Sequence, residues 1–348
     1  MGFYRNLALL LAAVGITSLS LALYALRDLR FHDILPYYAP LLDVIPNPSG
    51  RPLNLGIASQ VFVVSLPRRK DRRRDMEILR QALDTKWTYI DAIDGDNTVV
   101  SNIMMIKRYT LPFKWPAEID LLSASHSVID KAGSEIWDTS DLSLSSDVFP
   151  PLSAALEDNT ILPYSSSLRA WQTLTPARVA CWYSHMSVLR KIVDGARDTS
   201  HVSLILEDDI DVEKDIAPRL RSVWHNLPLD WDIVFLGYCW SNETPRFSFS
   251  RTTDGNRENR LHPSDRPKCT HAYAISYKGA RRLLLHLRHP PFAYSRALDQ
   301  AVAWLIQSDR LKSFSVVPSV IIQRKHDQSD ILESSWREHL TNGVFGTG

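Results

Sequence analysis

An α/β domain with a mainly parallel sheet flanked by helices is what this sequence predicts. Three observations predict it: short β-branched apolar runs recur along the chain, helical periodicity separates them, and four carboxylates crowd the end of one run. The chain opens differently. Residues 7–26 are uncharged and mostly apolar, and a helix of that length spans roughly 30 Å, the thickness of a hydrocarbon core. A cleaved signal peptide would carry a shorter apolar region ending at a small-x-small site, for which Leu21 to Leu26 is poorly suited. We read 7–26 as an uncleaved transmembrane helix behind a short tail, 1–6. Arg5 lies on one side of it and Arg27, Asp28 and Arg30 on the other, so charge alone does not orient it. Pro36, Pro40, Pro46, Pro48 and Pro52 then punctuate an extended stem over 27–58, and 59–348 is the folded domain.

Within that domain Val61 to Leu66 is the first strand. Pro67 closes it, and Met76, Leu79 and Leu83 fall at i, i+3 and i+7 of a following helix. Trp87 to Ile93 is the next apolar run, completing a strand–helix–strand unit of the length a parallel pair with a right-handed crossover requires. From Ser101 to Leu174 the pattern dissolves into serines and scattered prolines, which we read as an inserted loop region. Thr175-Pro176 is an N-cap followed by proline at the first helical position, and Gly195 is the stop, predicting a helix over Pro176 to Asp194. Strands follow at Val202–Leu206, Asp232–Leu236 and Ala272–Ser276. Ser276 is positioned to cap a helix carrying Leu283, Leu284 and Leu287. A helix through Leu298, Val302, Leu305 and Ile306 precedes a last strand near Ser315 to Ile322.

The formal net charge is +1, so a global field for polyanions is absent and a nucleic-acid partner is excluded despite one basic cluster. Three cysteines, Cys181, Cys239 and Cys269, are too few and scattered for a zinc framework, though an oxidising lumen allows one bridge and one leftover thiol, with the pair left open. Asn242-Glu243-Thr244 is a glycosylation triplet compatible with that lumen.

The strongest chemical signal is Glu207-Asp208-Asp209-Ile210-Asp211 at the end of an apolar strand. Carboxylates so crowded raise one another's pKa, and a divalent cation is a common reason for a sheet to present them at its carboxyl edge; a solvated acidic turn is the rival. All-oxygen ligation favours Mn²⁺ or Mg²⁺ over zinc. Next comes Ser65-Leu66-Pro67-Arg68-Arg69-Lys70-Asp71-Arg72-Arg73-Arg74, a basic cluster where strand turns into helix and backbone amides already favour an anion; a solvated helix face competes for some of these side chains. Cys181 and His185 share one helix face, more in keeping with a packed thiol and a hydrogen-bonded imidazole than with a nucleophile. Asp94-Gly95 taken alone is an ordinary turn. Of ten tryptophans, most are read as core, although aromatic faces also suit sugar rings.

In order, these pieces resemble glycosyltransferase family 25, the lipooligosaccharide and collagen galactosyltransferase-like family. Val63 to Arg72 resembles its opening strand and N-L-x-R-R-x-D-R turn, and Asp91-Ala92-Ile93-Asp94-Gly95 follows. Cys181-Trp182-Tyr183-Ser184-His185 is similar to its G-C-x-x-S-H helix, and Glu207-Asp208-Asp209 to its E-D-D motif. Asp232 to Gly237, Thr270 to Ser276 with Gly279-Ala280, and Leu298-Asp299 complete the series. The family's Asn is Ser65 here, the approach to Cys181 differs, and the 101–174 region is longer than in bacterial members.

The resemblance implies a GT-A-like, Rossmann-type fold and transfer of galactose or glucose from a UDP-sugar to a glycan or glycoprotein, with inversion. Glu207, Asp208 and Asp209 would hold Mn²⁺ or Mg²⁺. Ser65, Leu66, Arg68, Arg69, Arg72, Asp94 and Gly95 would contact the nucleotide sugar, Asp299 would be the general base, His185 would position, and His326 would be an extra metal ligand. The anchor and stem resemble Golgi enzymes, implying a single-pass type II protein of the Golgi or ER membrane with a luminal catalytic domain. A metal-dependent nucleotide-diphosphate phosphoesterase and a non-catalytic sugar-binding module are the alternatives.

Overall fold

A computed structural model describes residues 54–108, 151–195, 200–244, 248, 259–324 and 339–346. The predicted anchor at 7–26, most of the stem, residues 109–150 of the predicted insertion, and His326 lie outside them. No helix among the described residues is long and apolar enough to cross a membrane.

The order is β1 (Gln60–Ser65), α1 (Lys70–Ala82), β2 (Thr88–Asp91), α2 (Thr98–Arg108), β3 (Leu152–Ser153), β4 (Thr173–Leu174), α3 (Pro176–Gly195), β5 (Val202–Glu207), β6 (Ile210–Val212), α4 (Ile216–Trp224), β7 (Ile233–Cys239), β8 (Arg260–Pro263), β9 (Lys268–Ser276), α5 (Tyr277–Arg288), α6 (Leu298–Gln307), β10 (Ser313–Val317) and β11 (Ile321–Gln323). Seven strands form one sheet in the order β2-β1-β5-β9-β7-β10-β8. The pairs β2–β1, β1–β5 and β7–β10 are parallel, whereas β9 runs antiparallel to both β5 and β7, and β8 antiparallel to β10. The sheet is therefore mixed, with β8 and β9 reversed. A reversed strand buried on both faces reads as the same apolar run as a parallel one, so hydropathy alone did not reveal the direction.

Local signals account for the helices. Ser276 Oγ accepts the Gly279 amide at 2.9 Å, capping α5, and Thr175 Oγ1 accepts the Arg178 amide at 3.4 Å at the start of α3. Helix α3 packs Val179, Trp182, Val188, Leu189 and Ile192 into a core shared with Leu283, Leu284 and Leu287 of α5 and Leu298, Val302 and Leu305 of α6. Trp182 is fully buried against Phe292 and Tyr294, whereas Trp171 and Trp240 are exposed.

Two expected elements differ. The predicted insertion begins inside α2, whose Val100 and Ile103 are fully buried, and it ends in the β3–β4 pair. The expected last strand divides around Pro318, which has no N–H for a ladder: β10 stays in the main sheet and β11 pairs with β6. Gly237 of β7 lies where β11 crosses, and a Cβ there would collide with the Ile321 carbonyl and His271 Nε2.

Candidate functional site

Parallel register brings the ends of three strands level. Ser65 pairs with Asp91, and Val64 with Glu207, so the last residues of β1, β2 and β5 form one row at the carboxyl edge of the sheet. Because β9 runs the other way, its early residues, Thr270 and His271, lie beside the end of β5. Charge from four segments converges there.

Arg72, in the first turn of α1, reaches across this edge. Its Nη1 lies 3.0 Å from Asp208 Oδ1 and 3.2 Å from Asp209 Oδ2, with all three side chains largely buried. Gln323 Nε2 of β11 donates to Asp209 Oδ2 at 3.1 Å, and the Arg324 amide donates to the Asp209 carbonyl at 2.6 Å. Burial, then the charges of Glu207 and Asp208, pushes Asp209 up to about 7 against the pull of Arg72 and Gln323. Burial likewise raises Asp208, against Ser65 and Arg72. Asp209 Oδ1 is buried with no hydrogen-bond partner among the described residues. An orphaned carboxylate oxygen beside a second carboxylate is a hard, all-oxygen donor set, which fits Mn²⁺ or Mg²⁺.

Glu207 points elsewhere, because successive strand residues alternate faces. Its Oε1 accepts Thr270 Oγ1 at 2.8 Å and lies 3.3 Å from His185 Nε2, while His185 Nδ1 is 3.0 Å from the Tyr273 hydroxyl. Burial alone would raise Glu207; His185, His271 and Thr270 together hold it below the ordinary range. One turn before His185, Cys181 has its thiol pushed well up by burial and by the charges of Glu207, Asp299 and Asp209, which disfavours its thiolate while no cation is bound. Ser184 Oγ accepts the Ile93 amide at 3.2 Å and donates to the Ala180 carbonyl at 2.8 Å, tying α3 to the turn after β2.

Asp299, in the first turn of α6, is held by two backbone amides: Gln300 to Oδ1 at 2.8 Å and Cys269 to Oδ2 at 3.3 Å. Cys269 is disulfide-bonded to Cys239, which joins the end of β7 to the start of β9 and leaves Cys181 as the free thiol. Lys268 and Arg178 have their pKa values lowered by burial against the opposing charge of Asp299, so two cations stand near this carboxylate.

The remaining predicted residues disperse. Arg68 pairs with Asp94, whose Oδ1 also accepts the Gly95 amide at 2.8 Å; Arg69 pairs with Asp71 at 2.9 Å. Ser65 is buried and accepts Arg73 Nε at 3.1 Å, with Leu66 half-buried beside it. Of the four crowded carboxylates, Asp211 leaves the group: its Oδ1 accepts the Val212, Val344 and Phe345 amides and secures the segment at 339–346. Sequence reasoning placed Arg73 in the basic cluster but gave it no specific role, whereas it bridges Ser65 and Asp91, and it missed the pair Gln323 and Arg324. Gln323 ends β11 and Arg324 follows it, and that strand's partner, β6, has no sequence signal of its own.

Residues 58–298 match the sequence model of glycosyltransferase family 25, described as an LPS biosynthesis protein. The human protein named "Inactive glycosyltransferase 25 family member 3" is 27% identical over 246 residues, 69% of this chain and 31% of that protein. "Procollagen galactosyltransferase 1" of Danio rerio is 30% identical over 128 residues, 36% of this chain and 20% of its own. "Procollagen galactosyltransferase 2" of Homo sapiens is 22% identical over 284 residues, 75% and 34% respectively. At its longest matches the chain spans about a third of these relatives' length.

Proposed function

Since the chain belongs to glycosyltransferase family 25, we propose that it moves galactose or glucose from a UDP-sugar to a glycan or glycoprotein acceptor, with inversion at the anomeric carbon. The observation that carries this reading is the buried carboxylate pair Asp208–Asp209 at the carboxyl edge of the sheet, with Asp209 Oδ1 unsatisfied and Arg72 alongside. Ligands of open α/β sheets bind at that edge. Glu207, which the E-D-D resemblance also implies as a ligand, turns instead to His185 and Thr270; Asp208 and Asp209 would hold Mn²⁺ or Mg²⁺. A cation bound there offsets the negative charge that develops on the diphosphate as UDP departs.

The chain's own groups do the rest. Arg72 adds a fixed positive charge next to the diphosphate, where a guanidinium makes bidentate contacts. Leu66, Arg68, Arg69, Asp94 and Gly95, at the ends of β1 and β2, would contact the nucleotide sugar, and Ser65, buried and held by Arg73, would support that turn. Asp299 takes the proton of the attacking acceptor hydroxyl; two amides fix its orientation and each of its oxygens keeps a lone pair. His185 holds Glu207 in place rather than touching the sugar. The Cys239–Cys269 bridge suits an oxidising lumen, in keeping with a type II protein of the Golgi or ER membrane anchored through 7–26.

A second reading has a specific basis: three relatives carry the word inactive in their names, and on that reading this chain would bind a sugar nucleotide without turnover. The test uses full-length protein in detergent, a panel of UDP-sugars, and Mn²⁺ or EDTA, with UDP release as the readout. Metal-dependent release from one sugar, lost in a folded Asp209→Asn variant, supports transfer. Thermal stabilisation by a UDP-sugar without release supports the binding module, and neither effect would end both readings.

A further inference from the structure

We infer that Cys181, His185 and Glu207 form a binding site for a thiophilic divalent cation of the Zn²⁺ class, distinct from the oxygen donors Asp208 and Asp209. Their ligand atoms, one sulfur, one imidazole nitrogen and one carboxylate oxygen, all lie within 4.8 Å of one another. Cys181 and His185 sit four apart on α3 and so share a face, and Glu207 meets them from the end of β5. The 3.3 Å between His185 Nε2 and Glu207 Oε1 matches the separation of two ligands on a tetrahedral ion; bonds of about 2.0–2.1 Å set that at roughly 3.4 Å.

The surroundings are those of a metal site. His185 is 1% exposed, and its Nε2, aimed into the group, makes no well-directed hydrogen bond. Its Nδ1 meets the Tyr273 hydroxyl at 3.0 Å and Glu207 Oε1 accepts Thr270 at 2.8 Å, so both ligands have the outer partners that fix ring orientation and carboxylate direction. A thiolate and a carboxylate together balance a divalent charge, and the further charges of Asp209 and Asp299 act on the same spot. Cys181 is half-buried and Glu207 is 21% exposed, which leaves an entry path. Among the described residues the other group with converging ligand atoms, Cys239, Cys269 and His271, has both sulfurs committed to the disulfide. Softness separates the two sites: sulfur and imidazole select zinc, whereas Asp208 and Asp209 select manganese or magnesium.

The experiment uses the full-length chain in detergent, stripped with EDTA and titrated with Co²⁺ as the spectroscopic substitute for zinc. With Cys239 and Cys269 joined, a thiolate-to-cobalt band can arise only at Cys181. We expect one equivalent of Co²⁺ to give that band, Zn²⁺ to bleach it, Cys181→Ser to abolish it with an unchanged metal-free melting temperature, and Tyr273→Phe to weaken binding by about 10–100-fold. Should Cys181→Ser fold poorly, Zn²⁺ must instead slow alkylation of the wild-type thiol by at least tenfold. No band at saturating Co²⁺ overturns the site. So does a band that persists in Cys181→Ser, because the metal then sits on a reduced Cys239 or Cys269. None of these readouts depends on glycosyl transfer.

Discussion

Replacing Arg72 with methionine keeps the aliphatic stem packed in the first turn of α1 and removes only the charge. Arg72 Nη1 lies 3.0 Å from Asp208 and 3.2 Å from Asp209, its side chain is 13% exposed, and those of the two aspartates are 8% and 13% exposed. Pairs this sheltered are not surface ion pairs, whose loss costs about 0–1 kcal/mol. Removing one member of a buried group leaves the others uncompensated, at a cost of about 3–5 kcal/mol. For a domain of this size the melting temperature should fall by on the order of 10 °C. The assay is equilibrium urea unfolding of Arg72→Met, Asp209→Asn and the double variant. The double variant should be more stable than the sum of the singles requires, by about 1–3 kcal/mol, because the two side chains touch. A loss under about 1 kcal/mol for Arg72→Met, or strict additivity, would refute the picture of Arg72 as the standing counter-charge of the carboxylate edge.

Replacing both Cys239 and Cys269 with serine opens a bridge that closes 30 residues, and chain entropy predicts a loss of about 3–4 kcal/mol in urea unfolding; a loss below 1 kcal/mol would mean the bridge does not constrain the unfolded chain as drawn. His286 is 3% exposed, and burial, then Arg310, Arg282 and His289, depresses it from 6.5 to about 3. The unfolded chain therefore takes up this proton first, stability falls as pH drops below 6.5 and continues to fall towards 3, and the penalty at pH 5 is about 2 kcal/mol. His286→Leu should flatten the pH 7 to 5 slope of unfolding free energy by that amount, and parallel slopes would show that the imidazole is not desolvated. Gly237→Ala drives a methyl onto the Ile321 carbonyl and His271, which predicts destabilisation by about 1–3 kcal/mol or more, and an unchanged melting temperature would mean β7 and β11 do not cross so closely.

Thr270→Val removes the hydroxyl that Glu207 accepts at 2.8 Å while keeping the side-chain shape. A hydrogen bond to a charged group is worth about 1.5–3 kcal/mol, to be read in urea unfolding, and an isosteric loss under 0.5 kcal/mol would mean that Glu207 finds water instead.

The strands β1, β2, β5, β7 and β9 and the helices α1, α3, α5 and α6 were legible in the sequence because each signal is local, whereas α2, α4, β3, β4, β6 and β8 were not read from it. Apolar periodicity marked the buried face of α1, Thr175-Pro176 and Ser276 marked the starts of α3 and α5, Gly195 marked the end of α3, and an acidic run after an apolar strand marked the edge of β5. Composition and motif order also sufficed to point to the family, since spacing over many residues is a property of the chain alone. Partnership is another matter. Which cysteines pair, that β9 runs against its neighbours, that Arg72 and not Arg68 or Arg69 neutralises Asp208 and Asp209, and that Asp211 turns away to hold residues 344 and 345 all depend on contacts between segments distant in sequence. The four carboxylates are neighbours along the chain, but strand alternation and the turn after β5 send Glu207 to α3, Asp208 and Asp209 to α1, and Asp211 to the C-terminal segment. Sequence sets the inventory of charges; burial and long-range packing decide which charge faces which, because only the folded chain removes the water that would otherwise screen them all alike.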